Sequence, residues 1–109
     1  MQKRYRLTNN ASFNYINSKG KRGFGKHIVL SFVPASSLKI GVVVTKKVGK
    51  SVVRSKVKRR IKESFRSLIP RLCGKHNYVV VAKEDASSAT YSEILAEIRG
   101  ILTKNGHLA

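Results

Sequence analysis

Hydrophobic residues in the middle of the chain recur at the spacing of an α-helix. Five of them follow one another at intervals of four, four, four and three residues, so that they share one helical face. Proline disfavours helical geometry in the residue before it, and Pro70 therefore sets the end of the segment. We predict an amphipathic helix that begins at Ser51 and ends near Ser67. Its apolar positions are Val53, Val57, Ile61, Phe65 and Leu68.

Two further helices are predicted near the ends of the sequence. Asn9-Asn10 supplies capping side chains for the first, which places Phe13 and Ile16 on one face before Lys19-Gly20 ends it. Thr90 and Glu93 have the spacing of a capping box and predict the start of the last helix. The apolar face of that helix consists of Ile94, Leu95, Ile98, Ile101 and Leu102.

Three segments rich in valine and isoleucine have the character of β-strands. They are residues 27–33, 39–45 and 78–83, and the last is predicted to be central because it is nearly all apolar. The turn-forming residues 34–37 separate the first two segments, which predicts that these pair as an antiparallel hairpin. Residues 20–26, GKRGFGK, are expected to form a flexible loop.

The order of these elements predicts an α+β domain of the α/β sandwich type, with a mixed four-stranded sheet. The order is α-β-β-β′-α-β-α, where the third strand depends on how residues 27–33 and 39–45 are divided. The strand–helix–strand unit of residues 39–83 predicts two parallel strands with the basic helix as their crossover. We expect helices on one face of the sheet, with part of the other face open. A length of 109 residues predicts one domain, residues 1–109.

The charge of the chain is strongly positive and unevenly distributed. Lys and Arg number 23 against 5 Asp and Glu, which gives a net charge of +18. Residues 1–45 carry +8, residues 46–75 carry +11 and residues 76–109 carry −1. Such a field attracts a polyanion, either nucleic acid or an anionic membrane surface. Membrane attachment favours exposed Trp, and the chain has none. Nucleic acid is therefore the favoured partner over a membrane or a merely solvated basic surface.

The cations of the predicted central helix crowd one another. Lys62 is four residues from both Lys58 and Arg66, and Glu63 is the only acid among residues 46–75. Each such pair of like charges costs about 0.2–0.5 kcal/mol in a helix. A solvated helix face usually alternates acidic with basic residues instead. Bound phosphate groups would remove this repulsion, which favours a binding role for the helix.

Few residues are available for catalysis by the chain itself. A single cysteine, Cys73, excludes an intrachain disulfide and a cysteine-based zinc site. No apolar run approaches the ~20 residues of a membrane span, and the basic N-terminus predicts no secretory signal. Glu84-Asp85 is the one candidate for a metal site, and we interpret it as a loop before a helix. The histidines, His27, His76 and His107, are scattered in the sequence.

The middle of the chain resembles a known signature. Residues 46–66, KKVGKSVVRSKVKRRIKESFR, are similar to the signature of the bacterial ribonuclease P protein subunit. That signature is a KK-x-G loop that leads into an Arg-Asn-Arg-x-Lys-Arg helix. The opening RYRL of residues 4–7, Phe13, Gly20 and the strand 78–83 also resemble this family. The resemblance covers essentially the whole chain.

The chain departs from the family pattern at several positions. Ser55 and Lys56 stand where the family has Asn and its second Arg, and Lys62 stands where many relatives have Arg. A lysine keeps the charge but loses the bidentate phosphate geometry of arginine. Asn17 and Ser31 occupy positions that are aromatic in some relatives, so we expect less base stacking there.

The resemblance implies a fold and a function. The fold would be ribosomal protein S5 domain 2-like, with an unusual left-handed βαβ crossover through the basic helix. The chain would be the accessory protein subunit of an RNA-based, cytoplasmic endoribonuclease that removes the 5′ leader from precursor tRNA. Its partners would be the catalytic ribonuclease P RNA and precursor tRNA, with no protein partner required. Mg²⁺ would be held mainly by the RNA, and the protein would hold no catalytic residue.

The resemblance also assigns two sets of binding residues. The catalytic RNA would contact Lys46, Lys47, Lys50, Arg54, Ser55, Lys56, Lys58, Arg59 and Lys62. A groove between the first helix and the sheet would hold the single-stranded leader against Phe13, Asn17, Val29 and Ser31. Two alternatives stay open. One is a ribosomal or general structural RNA-binding protein, and the other is a metal-dependent nuclease that acts without RNA through Glu84-Asp85.

Overall fold

The computed structural model describes residues 5–7 and 10–109, the second range with side chains from residue 13 onward. Within these residues the chain forms three α-helices and one four-stranded sheet. The helices are α1 (Asn10–Lys19), α2 (Ser51–Leu68) and α3 (Tyr91–Lys104). The strands are β1 (Lys21–Phe24), β2 (Ile28–Pro34), β3 (Lys39–Val43) and β4 (His76–Ala82). Short 3₁₀ turns lie at Lys46–Val48, Ile69–Arg71 and Glu84–Ser88.

Strand β4 lies inside the sheet, whose order is β1-β2-β4-β3. β3 runs parallel to β4, and α2 is the connection between them. The predicted parallel pair and the central position of the apolar segment 78–83 are therefore confirmed. The mixed four-stranded sheet and the α+β class are confirmed as well. The left hand of the crossover stays a prediction from the resemblance.

The predicted hairpin of β2 with β3 is wrong, because β4 lies between them. All seven residues of β2 pair antiparallel with β4, from Ile28 opposite Ala82 to Pro34 opposite His76. Among the four strands, β3 is paired with the other side of β4 and not with β2. The short turn after β2 favours pairing of β2 with β3. The position of β4 between these two strands instead allows β4, the most apolar strand, to be buried on both of its faces. A hairpin of β2 with β3 would have left that strand at an edge.

The prediction of a flexible loop at residues 20–26 is also wrong, because Lys21–Phe24 forms the edge strand β1. It pairs antiparallel with β2, from Lys21 opposite Phe32 to Phe24 opposite Val29. Glycine and lysine are poor signals of a strand, but lysine is common at sheet edges, where it opposes unwanted pairing. β1 is thus the third strand before α2 that the order of elements required.

The two faces of the sheet are covered to different extents. The main hydrophobic core lies between one face and helices α2 and α3, and its sheet residues include Ile28, Leu30 and Tyr78. On the other face, a smaller cluster of Leu7, Ile16 and Val79 holds α1. Helices therefore lie on both faces rather than on one, and α1 leaves part of its face open.

Helices α2 and α3 follow their predicted patterns closely. The predicted stripe of α2 is buried except for Val53, which is half-buried, and the helix ends at Leu68. At α3, the backbone N–H of Thr90 donates to Glu93 Oε1 (3.0 Å) and that of Glu93 donates to Thr90 Oγ1 (3.2 Å). These bonds complete the capping box, and the hydrogen bond from the Thr90 N–H lowers the pKa of the Glu93 carboxyl. The predicted cap of α1, Asn9-Asn10, lies outside the described residues and side chains.

The C-terminal residues are held by a cluster of aromatic rings. His107 stacks on His76 with ring centroids 4.1 Å apart, and Phe32 meets its ring edge-on at 4.6 Å. The hydroxyl of Tyr78 lies 2.8 Å from Nδ1 of His107. Burial raises the pKa of Tyr78 and lowers that of His107, so this contact joins a protonated hydroxyl to a neutral imidazole. The backbone N–H of Cys73 also donates to the carbonyl of His107 (2.7 Å).

We predict that the stability of this protein falls as the pH is lowered from about 7 to 5.5. Burial lowers the pKa of both His76 and His107 below the ordinary 6.5, and the charge of His76 lowers that of His107 further. The unfolded chain therefore binds protons first as the pH falls through 6.5, and the free energy of unfolding decreases. The limiting slope is about 1.4 kcal/mol per pH unit for each histidine.

Urea unfolding at each pH measures this loss. The variant His107→Asn should be less stable at pH 7.5 and should show a shallower fall between pH 7 and 5.5. Parallel curves for the wild type and the variant would contradict the assignment to His107.

Candidate nucleic-acid interface

The basic loop before α2 is a fixed turn of the backbone. In the 3₁₀ turn, Lys46 and Lys47 are exposed, and Val48 is buried in the main core. Gly49 follows with a φ of 153°, a conformation that residues with a side chain rarely adopt. Its N–H donates to the carbonyl of Lys46 (3.2 Å). The KK-x-G pattern is thus explained: Val48 anchors the turn, Gly49 permits it, and the lysines face solvent.

The first turn of α2 lacks the groups that usually complement a helix N-terminus. Lys50 is the N-cap residue, its side chain makes no capping bond, and the first turn contains no acid. The backbone N–H groups there carry a partial positive charge, which negative groups stabilise. Lys46, Lys47 and Arg54 add full positive charges on either side of this point. A phosphate group fits these surroundings better than any side chain of the sequence nearby.

The outer face of α2 carries most of the predicted contacts to RNA. Arg54, Lys58 and Lys62 follow one another at intervals of four, and Ser55 and Arg59 form the neighbouring row. Ser55, Lys56, Lys58 and Arg59 are exposed, whereas Arg54 and Lys62 are half-buried. All nine predicted residues therefore lie along one continuous segment of the structure, from the 3₁₀ turn to the fourth turn of α2.

Two observations indicate that this face is electrostatically unsatisfied in the free protein. Burial lowers the pKa of Lys62, and the nearby charges of Lys58 and Arg6 lower it further. Among the described residues, no acceptor lies within hydrogen-bond distance of the buried Nε of Arg54. An anion on this face would relieve the repulsion and supply an acceptor.

Two arginines of α2 already have partners. The Nε of Arg59 lies 3.2 Å from Oε1 of Glu63 in an exposed pair, and such pairs are weak. Arg60 donates to the carbonyls of Ser87 (3.4 Å) and Ala89 (3.2 Å), which ties α2 to the segment before α3. Arg59 is therefore available to an anionic ligand once it releases Glu63, whereas Arg60 connects α2 to the segment before α3.

A small hollow connects the cations of α2 with the predicted leader groove. Lys58 and Lys62 line it from one side, and Arg6 and Phe13 line it from the other, above β3. Phe13 lies against the backbone of Gly41. The opening segment positions Arg6, because the N–H of Leu7 donates to the carbonyl of Ile40 (3.0 Å) at the edge of β3. No pattern in the sequence assigns Arg6 a role, since only the tertiary structure places it beside Lys62.

The four predicted groove residues lie on the α1 face of the sheet or on α1 itself. Phe13, Asn17 and Val29 are half-buried, so part of each is accessible. Ser31 is only 1% exposed, and its hydroxyl has no partner among the described residues. Ser31 therefore forms part of the floor beneath α1 rather than an open contact surface. Arg22 of β1 donates to the carbonyl of Asn17 and thus lies at the same groove.

The other candidate chemistries have structural explanations. His27 contacts Glu97 through Nδ1 and Oε2 (2.6 Å), and His76 and His107 belong to the aromatic cluster. Glu84 and Asp85 are exposed in a 3₁₀ turn. Within residues 5–7 and 10–109, no three His, Cys, Asp or Glu side chains are grouped so as to hold a metal ion. In the same part of the chain, no helix is long and apolar enough to cross a membrane.

The fold and this face together define a small α+β protein with a strongly basic loop and helix. A sequence model of the family described as Ribonuclease P matches residues 1–106. This chain therefore belongs to the ribonuclease P protein family, and the resemblance is confirmed.

Individual relatives agree with this membership. The ribonuclease P protein component of Thermus brockianus is 44% identical over 89 residues, which is 81% of this chain and 52% of that protein. The chain thus spans about half the length of this relative. The component of Clostridium acetobutylicum is 37% identical over 108 residues, 95% of this chain and 91% of that protein. The structure of Staphylococcus aureus RNase P protein matches with a TM-score of 0.85 and 26% identity, covering 96% and 98% of the two chains.

We predict that removal of charge from α2 weakens RNA binding more than the same removal from α3. The double variant Lys58→Ala/Lys62→Ala should bind a transcribed bacterial ribonuclease P RNA more weakly than the wild type. The slope of log affinity against log salt should fall by about 0.7–0.9 for each phosphate group that the variant no longer binds. Fluorescence anisotropy at several salt concentrations measures both effects.

The matched control is Arg99→Ala/Lys104→Ala, which removes two exposed cations of α3 and gives the same net charge. It should leave the slope near that of the wild type. An equal decrease of affinity and slope in both double variants would mean that only net charge matters, and not this face.

Proposed function

We propose that this chain is the protein subunit of ribonuclease P, a ribonucleoprotein that removes the 5′ leader of precursor tRNA. The observation that supports this most directly is the continuous basic surface of the loop and α2. Its helix N-terminus has no side-chain cap, and the Nε of Arg54 has no hydrogen-bond partner among the described residues. A basic surface alone would serve many RNA-binding proteins. Family membership over residues 1–106 selects ribonuclease P among them.

In this proposal the loop and α2 bind the catalytic RNA. Lys46, Lys47 and Lys50 meet phosphates at the helix N-terminus, and the rows of cations along α2 follow the RNA backbone. Ser55 contributes a hydroxyl, which donates to or accepts from RNA without adding charge. Lys56 and Lys62 act as point charges, because lysine cannot form the bidentate contacts of arginine. Arg54 and Arg59 retain that geometry.

The groove between α1 and the sheet holds the single-stranded leader of precursor tRNA. Phe13 offers an aromatic ring and Val29 an apolar surface, and both are partly exposed. The hollow lined by Arg6, Lys58 and Lys62 carries positive charge from this groove toward α2. The leader and the catalytic RNA would thus bind adjacent surfaces. The protein would lower the repulsion between two RNAs.

The protein has an accessory role in the enzyme, with no catalytic residue of its own. The described residues do not fit a resident metal ion, and we assign Mg²⁺ mainly to the RNA partner. The chemistry that Mg²⁺ supplies in such a site is activation of the attacking water and stabilisation of the leaving oxygen. The complex would act in the cytoplasm and would require no second protein.

A cleavage assay at low Mg²⁺ tests the proposed function. The substrate is a precursor tRNA, and the three arms are the protein alone, a bacterial ribonuclease P RNA alone, and both together. We expect cleavage at the mature 5′ end in the combined arm only, because the protein reduces the Mg²⁺ needed to screen RNA from RNA.

Two results would overturn this function. Cleavage by protein alone would point to a metal-dependent nuclease, and loss of that activity in Glu84→Ala or Asp85→Ala would locate it. Tight RNA binding without stimulation of cleavage would favour a ribosomal or general structural RNA-binding protein. Cofractionation with ribosomes would support that alternative.

A further inference from the structure

The edge strand β1 adds two side chains to the groove face of the sheet. Arg22 lies opposite Ser31 and Phe24 lies opposite Val29 in the antiparallel pair with β2. Directly opposed residues in such a pair project from the same face. Arg22 and Phe24 therefore share the face of Ser31 and Val29, which is the face that α1 partly covers.

The surroundings of Gly23, on the opposite face of β1, confirm this orientation of Arg22 and Phe24. It lies opposite Leu30, a residue of the main core, and a side chain at Gly23 would collide with Ile101 of α3. Only glycine allows β1 to approach α3 this closely. Since side chains alternate along a strand, the neighbours Arg22 and Phe24 project away from α3.

Phe24 stands at the open end of an apolar row that crosses the sheet. The register aligns Phe24, Val29, Val81 and Val43 on one line across all four strands. The three valines are half-buried, whereas Phe24 is 71% exposed. The next row, which contains Val79 and Gly41, is covered by Ile16 and Phe13 of α1. α1 therefore covers the row of Phe24 less completely than the row of Val79, although Val43 and Val81 still pack against the cluster of Leu7, Ile16 and Val79.

Hydrogen bonds hold the backbone at the end of β1 although Phe24 is exposed. The N–H of Gly25 donates to the carbonyl of Ile28 (2.8 Å), and Lys83 Nζ donates to the carbonyl of Gly25 (2.7 Å). Glu97 of α3 accepts from the backbone N–H of His27 (2.7 Å) and contacts its ring nitrogen. An exposed ring on a fixed backbone is ready to bind a ligand with little loss of conformational freedom.

The charge around Phe24 selects the chemistry of that ligand. Arg22 shares its face of the sheet and Lys26 follows it by two residues, whereas Glu97 of α3, which lies beside this turn, is engaged with His27. Arg22 donates to the carbonyl of Asn17, which holds its cation between β1 and α1. A ligand with a flat apolar face and a negative backbone matches an exposed aromatic ring beside these cations. Single-stranded RNA has both features.

We propose that Phe24 stacks on one base of the single-stranded 5′ leader and that Arg22 contacts an adjoining phosphate. β1 thereby extends the leader groove beyond Val29. Asn17 and Ser31 offer no aromatic ring, so Phe24 provides the second stacking surface of the groove after Phe13. The assignment rests on the proposed function, because it requires the leader of precursor tRNA to bind this face.

The test compares substrates with and without a leader. Holoenzyme is reconstituted from a bacterial ribonuclease P RNA and each protein variant, and the Kd is measured for precursor tRNA and for the same tRNA without a leader. Phe24→Ala should weaken binding of precursor tRNA by about 5- to 150-fold, the range expected for removal of one stacking interaction. Binding of leaderless tRNA should not change.

Matched variants separate stacking from exposure and folding. Phe24→Trp should retain the affinity for precursor tRNA, whereas Phe24→Leu, apolar but without a flat ring, should lose it. Tyr15→Ala removes another exposed aromatic ring, 58% exposed on α1, and should behave as the wild type. Thermal unfolding of each variant identifies any decrease of affinity that comes from loss of the fold. Equal affinity of Phe24→Trp and Phe24→Leu would overturn the stacking role.

Arg22 and the position of the base are tested in the same system. Arg22→Gln should reduce the salt slope for precursor tRNA by about 0.7, the value for one phosphate contact of a single strand, and Arg22→Lys should keep it. Leaders shortened by one nucleotide at a time locate the base. The difference between the wild type and Phe24→Ala should vanish when the stacked nucleotide is removed, and a difference that persists without a leader would contradict the proposal.

The outcomes distinguish this proposal from the function on which it rests. A wild-type holoenzyme that binds precursor and leaderless tRNA equally would overturn the leader groove itself. A wild type that prefers the leader, with the same preference in Phe24→Ala, would overturn only the role of Phe24 and leave the proposed function intact.

Discussion

The packing of α2 against the sheet decides where the charge of this protein lies. Val57, Ile61 and Phe65 are fully buried in the main core. Helical geometry then turns the residues between them outward. Of the six residues between them, four are Lys or Arg, one is the acid Glu63, and Ser64 is buried. Apolar burial on one side of the helix thus holds together, on the other side, cations that would separate in a free chain. The basic surface depends on this packing.

The same arrangement places like charges close together, and a bound polyanion relieves their repulsion. Lys58 and Arg6 both disfavour the charged form of Lys62, and burial adds to their effect. Lys50 and the lysines of the preceding turn face a helix N-terminus that is itself positive. Each of these interactions is unfavourable in the free protein and favourable once phosphates lie among them. The free energy stored as repulsion therefore appears as affinity and as a strong dependence on salt.

The two edges of the sheet are bordered by different residues, and the groove lies on the face between them. At β3, the segment before α1 forms a bridge from Arg6 to Ile40, which covers the edge and brings Arg6 toward α2. At β1, the charges of Lys21 and Arg22 oppose pairing with a further strand, and Glu97 forms a hydrogen bond with the turn that follows. α1 crosses the face between these edges and covers the row of Val79 more completely than the row of Val29. The open strip runs beside the cations of β1 at one end and of α2 at the other.

Most of the local structure and the family were determined by the sequence alone. The stripe of α2, the capping box of Thr90 and Glu93 and the apolar strand β4 each rest on neighbours in sequence, so their patterns were sufficient. The nine cationic and hydroxyl-bearing positions from Lys46 to Lys62 followed from a local signature, and the structure places them on one stretch. What only the tertiary structure decided was the pairing of strands. Burial of β4 on both faces outweighed the short turn between β2 and β3. Pairing to β2 made a strand of Lys21–Phe24, a segment whose glycines and cations predict a loop. The positions of Arg6, Arg22 and Phe24 beside the predicted site have the same cause: strand pairing is a long-range backbone interaction, and no local pattern of side chains encodes the face on which such residues emerge.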